Sequence, residues 1–159
     1  MNGEYQQKVD DCKLELDQIK IWINKNRMDS QVRYLVSYAI IRTSGTIEVI
    51  YKSIIYNHLS DGVNQEAVKF LTGSILDSPS NPKTSNIKAL LEKINADWSE
   101  AFEKEVKESG KKSDLNSLVQ LRNDFAHGAN ITQSIETVIK YFNGAIDILN
   151  ILEKIVIST

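Results

Sequence analysis

Apolar residues recur three and four positions apart through nearly all of the chain, and that spacing belongs to an α-helix with one buried face. In the first segment Val9, Cys12, Leu16, Ile19 and Ile23 follow it, and Trp22 widens the face. KNRMDS then breaks the pattern, with Asp29 or Ser30 as the expected N-cap. Val32, Leu35, Val36, Ala39, Ile40, Thr43, Ile47, Ile50 and Ile54 form a second, longer stripe. Its β-branched content would also suit strands, but its length and lack of alternation favour helix. Ser44-Gly45 in its middle suggests close packing or a kink, and Gly62 is a natural stop.

Residues 64–76 read as a shorter helix using Ala67, Val68, Phe70, Leu71 and Ile75. DSPSNPKTS, with Pro79 and Pro82, is a loop. A helix resumes over 86–96, and Trp98, Phe102 and Val106 mark one more, separate or continuous. ESGKKSD reads as a charged loop with an N-cap at Ser113. Two further helices follow, over 114–127 and about 132–157. The last carries Ile135, Val138, Ile139, Phe142, Ile146, Leu149, Leu152 and Val156. These elements describe one all-α domain, residues 1–159. Four main helices form a bundle, with a small helical insertion and loops over 64–110. A length of 159 residues and a hydrophobic fraction of 42% suit a single core.

Composition excludes more than it identifies. The formal net charge of −2 carries no whole-protein field for a polyanion, so a nucleic-acid contact has to be local. The lone Cys12 rules out an intramolecular disulfide and a thiolate cluster within one chain. MNGEYQQKVDDCK lacks the apolar core of a signal peptide, and no apolar run has the roughly 20 residues of a membrane span. The expectation is a soluble cytoplasmic protein without a membrane partner. His58 and His127 with scattered acids make no metal spacing, so neither metal nor cofactor is expected. His58 reads as a capping residue near the end of its helix. No Ser–His–Asp signature or Gly-rich phosphate loop is present.

The chemistry concentrates in LRNDFAHG, residues 121–128. At about 100° per residue, Leu115, Leu118, Val119, Phe125 and Ala126 fall on one side of the helix, with Arg122 at the centre of that arc. Asn116, Gln120 and Asn123 form a polar stripe beside it, which His127 continues. Gly128 is a good C′ residue, so the helix should end at His127. An unpaired arginine on an apolar arc is costly. It can snorkel or pair with a buried acid such as Glu48, meet another subunit, or line a cleft that binds an anion such as phosphate. A histidine at a helix end usually interacts with the terminal carbonyls and the helix dipole, but beside an arginine it makes metal-free phosphodiester chemistry feasible. One Arg and one His make a sparse site, which two-fold symmetry would double. Arg27, Arg33, Arg42, Lys111 and Lys112 could line an RNA approach, and Tyr34, Tyr38, Tyr51 and Tyr56 could stack bases, although such residues are more often surface and packing.

RNDFAH, residues 122–127, resembles the R-x4-6-H motif of HEPN domains, helical bundles whose motif ends a late helix before a final long one. This chain has that order. It looks most like the stand-alone bacterial RiboL-PSP and MAE groups, associated with toxin–antitoxin and phage-defence systems. The resemblance implies a metal-independent endoribonuclease. It implies a homodimer through the Arg122–His127 face, with the paired motifs forming a shared RNA cleft. Arg122 and His127 would be the catalytic pair, Asn123 a supporting polar residue and Glu48 a supporting acid, with RNA as substrate and an antitoxin or defence partner nearby. The alternatives are a non-catalytic HEPN-like bundle that binds a protein or nucleotide, and a plain interaction module in which Arg122 is a structural ion-pair partner. One position departs from the pattern. HEPN toxins whose antitoxin is a nucleotidyltransferase typically carry a tyrosine two residues after the histidine, where this chain has Ala129. The resemblance therefore does not extend to adenylylation there.

Overall fold

Asn2 starts the first helix by accepting the Glu4 backbone N–H at 3.1 Å, and in the computed structural model, which describes residues 1–158, α1 runs Gly3–Lys25. It buries Tyr5, Val9, Cys12, Leu16 and Ile23, as its spacing requires. The break is six residues long. Gln31, with no side-chain cap, holds the cap position of α2 (Val32–Ser60), not Asp29 or Ser30. Asp29 acts one step earlier, accepting the Gln31 N–H at 2.7 Å on its carboxylate and the Val32 N–H at 3.2 Å on its carbonyl. Helix α2 is unbroken through Ser44-Gly45. Gly45 is exposed, with open space where a Cβ would stand, so the expected close approach does not occur within this chain. Gly62 ends the segment at φ +69°, a left-handed conformation that glycine adopts without steric cost.

The 64–76 stretch divides into α3 (Gln65–Leu71) and a five-residue turn of π-helical bonding, Thr72–Leu76. Of its apolar residues only Ile75 is buried, and Phe70 is 70% exposed. The helical spacing was real, but this short element lies at the rim, where it covers little. The following loop is fastened to α2. Lys52 donates to the Ser78 carbonyl at 2.6 Å and Tyr51 to the Ser80 carbonyl at 3.0 Å. Helices α4 (Thr84–Ile94) and α5 (Ala96–Ser109) are separate. Asn95 divides them, its side chain accepting the Asp97 and Trp98 N–H groups at 2.9 and 3.4 Å. The expected charged loop shrinks to Gly110 and Lys111, with Gly110 at φ +67°. Helix α6 (Lys112–Ala126) therefore begins before Ser113, and no side chain caps it. Ser134 caps α7 (Ile135–Ile157) by accepting the Thr137 N–H at 3.2 Å.

All seven α-helices of the described residues contribute to the bundle, and no strand occurs among those residues. Helix α7 is the centre: α1, α2, α5 and α6 all pack on it. Its stripe is buried as expected, apart from the half-buried Ile139. Through Trp98, Phe102 and Val106 the insertion also adds to that core, because α5 packs along α7 rather than standing apart. Full burial of an aliphatic or phenyl side chain contributes about 1.5–3 kcal/mol, so side chains such as Leu16, Ile47, Phe102 and Phe142 carry the fold. No helix of the described residues is long and apolar enough to cross a membrane.

Candidate functional site

Helix α6 enters the core and then leaves it. Leu115, Leu118, Val119 and Leu121 are buried, but Phe125 is 39% exposed and Arg122, Ala126 and His127 are exposed too. The apolar arc read from the sequence is present, and its last turn extends past the edge of the bundle. Arg122 is therefore not an arginine forced into a core. Its guanidinium lies in solvent on an apolar surface, and Nη1 donates to Asn123 Oδ1 at 3.3 Å.

The helix ends as its glycine demands. Gly128 is left-handed at φ +83°; its N–H bonds to the Phe125 carbonyl at 3.0 Å and the Ala129 N–H to the Asp124 carbonyl at 2.9 Å. That pair of bonds is the Schellman terminus, with His127 as the last residue before the reversal. The imidazole projects from this corner, and no side-chain partner in the described residues orients it. The polar stripe beside the arc has divided duties. Asn116 Oδ1 accepts the Thr84 N–H and hydroxyl at 3.0 and 3.1 Å, docking α4. Gln120 donates to Asp124 at 2.7 Å. Asn123 alone faces Arg122.

Glu48 is not brought to this site. Lys52 Nζ donates to its carboxylate at 2.7 Å, and no ion pair in the described residues joins it to Arg122. The end of α6 meets α2 near Ser37, and Glu48 lies eleven residues further along, roughly 16 Å at 1.5 Å per residue. The supporting acid expected from the resemblance thus has a structural task here, holding Lys52 against the loop after α3.

Next to the α6 terminus lies an open recess of about 450 Å³, lined by Arg33, Tyr34 and Ser37 of α2, by Phe125, and by Ala129, Asn130 and Ile131 of the α6–α7 loop. Arg33 stacks over the Tyr34 ring at 4.7 Å and donates to its hydroxyl at 2.7 Å. Among the basic and tyrosine side chains singled out from the sequence, these two reach the site. Arg42 is locked to Glu15 by two-pronged bonds at 2.9–3.0 Å, and this guanidinium holds the Glu15 carboxyl below the usual carboxylate range. Tyr38 donates to the same carboxylate, Tyr51 is buried, and Tyr56 lies near Thr72. Lys111 approaches Asp114 at 4.0 Å, Lys112 lines a different cleft, and Arg27 turns back to Asn24. Phe125, Asn130 and Ile131 were not foreseen as lining residues. The arginine on the arc was the available sign, since an arc centred on a cation is a poor core face.

Elsewhere, His58 sits edge-on to Trp98, ring centroids 5.4 Å apart, instead of capping α2. Cys12 is fully buried, and that burial pushes its thiol pKa up, away from the reactive thiolate. No group of three or more His, Cys, Asp or Glu among the described residues is placed to hold a metal ion.

Comparisons with curated proteins and with solved structures give no match. One family model does match, over residues 7–158, nearly the whole chain including α6, its terminus and α7. This helical bundle, with RNDFAH at the exposed end of its sixth helix, belongs to the RiboL-PSP-HEPN family.

Proposed function

We propose that the chain is a metal-independent HEPN endoribonuclease. In this reading, two copies meet through the exposed end of α6 and cleave RNA in a shared cleft. One observation carries the reading: Arg122 and His127 are both exposed at the apolar end of α6, beside a recess, and no acid among the described residues neutralises the arginine. Family membership supports the HEPN assignment, and the toxin–antitoxin or phage-defence setting with a cognate partner is proposed with it from the motif's resemblance.

The chemistry needs no water. The ribose 2′-oxygen attacks the adjacent phosphorus, and one imidazole takes the hydroxyl proton. The bond from phosphorus to the 5′-oxygen breaks, and a second imidazole, protonated, gives that oxygen its proton. The products are a 2′,3′-cyclic phosphate and a 5′-hydroxyl. His127 from each copy fills the two proton-transfer roles, and Arg122 stabilises the charge that builds on the phosphoryl oxygens. Asn123 steadies the guanidinium.

The test is cleavage of a mixed RNA pool in EDTA. Proton transfer by a placed side chain contributes about 10²–10⁴-fold, and a donor to the developing oxyanion about 10²–10³-fold. His127→Ala and Arg122→Ala should each lose at least about 100-fold while retaining helicity and oligomeric state. Both sites are exposed, so folding should survive either change. Absence of cleavage by a folded wild-type dimer across varied RNA and salt would overturn the nuclease and favour a non-catalytic anion-binding bundle.

A further inference from the structure

We propose that the recess beside the α6 terminus is a subsite for one unstacked base of single-stranded RNA, flanking the phosphate engaged by Arg122; this rests on the RNA-directed reading above. Its volume of about 450 Å³ falls within the roughly 300–1,000 Å³ of small-ligand pockets. The lining has the composition that base recognition needs. Tyr34 and Phe125 offer aromatic surface, both exposed where a buried packing role would hide them. Arg33 lies over one face of the Tyr34 ring and donates to its hydroxyl, so a base would stack on the ring surface that Arg33 leaves exposed. Such surfaces take bases splayed out of a single strand, whereas a duplex keeps its bases stacked inside.

The polar groups suit a base edge. Asn130 presents a carboxamide, both donor and acceptor, at the exposed rim. The Ser37 hydroxyl donates to the Arg33 carbonyl at 2.9 Å, which leaves its oxygen as an acceptor. The recess and the reacting groups also share supports. Phe125 lies three residues after Arg122, on the neighbouring turn of the same face. Ala129 and Asn130 continue the reversal that places His127. A base seated here would hold its own backbone phosphate against the exposed face of α6.

The experiment separates binding from cleavage. The His127→Ala chain is titrated against a labelled short oligoribonucleotide and against an abasic oligomer of equal length and charge. Tyr34→Ala and Phe125→Ala are then measured in that background, with melting curves to confirm folding. Base–aromatic stacking predicts about tenfold or greater weakening for each variant on the base-bearing strand, and no change on the abasic one. Equal binding of the two strands by the parent, or unchanged affinity in both variants, overturns the subsite. So does loss of self-association with RNA binding intact, which would make the patch a contact between copies. Base-dependent binding by a chain whose wild type cleaves nothing would keep the subsite and remove the nuclease. Cleavage indifferent to Tyr34 and Phe125 would do the reverse.

Discussion

His127 takes its direction from the backbone, because the turn at Gly128 decides where the imidazole points. A left-handed conformation costs a residue with a Cβ about 1–2 kcal/mol. Open space surrounds the position, so Gly128→Ala acts through that strain alone. We expect its melting temperature to fall by about 2–8 °C. We also expect RNA cleavage to fall further than the small unfolded fraction explains, which activity measured well below the melting transition checks. The glycine's role was legible because only the terminal reversal calls for that residue there. The arginine was legible in angle and not in depth. A helical wheel puts Arg122 among Phe125 and Ala126, but where the core stops depends on which helices lie opposite, and no local pattern records that.

Between elements, α7 approaches α6 closely at Gly144. A Cβ at Gly144 would overlap the Asp114 side chain, including its own Cβ, which cannot swing away. Gly144→Ala should therefore cost about 1–3 kcal/mol by pushing the helices apart. Denaturant unfolding would show it as a lower midpoint with an unchanged slope. The long stripes of α1, α2 and α7 were readable because each meets neighbours along most of its length. Helix α3 misled because Phe70 has helical spacing with nothing opposite to bury it. The boundaries were hardest where one residue serves two helices, as Asn95 does, or where two residues suffice for a turn, as at Gly110 and Lys111.

At the scale of the whole molecule, two carboxylates among the described residues are held below their ordinary pKa by cations on neighbouring helices. Arg42 of α2 does this to Glu15 of α1, and Lys88 of α4 to Glu103 of α5. A depressed pKa stabilises the fold above the unfolded value of about 4.3. That contribution disappears as pH falls through the lower, folded value. Glu15→Gln should destabilise the protein at pH 7 by under about 1 kcal/mol, given the partial exposure of the pair. The deficit should narrow below about pH 4 and vanish in stronger acid, which melting curves across pH would reveal.

The end of α6 outlasts the core that supports the rest of it. A helical turn with so little packed behind it opens at a free energy far below that of global unfolding. Its amide hydrogens therefore trade with solvent through local fraying, while those near Leu115 and Leu118 wait for larger openings. Whatever covers the exposed face must first quiet that turn, so the slowing of exchange at residues 122–127 is a direct gauge of occupancy, whether the occupant is RNA or a second copy.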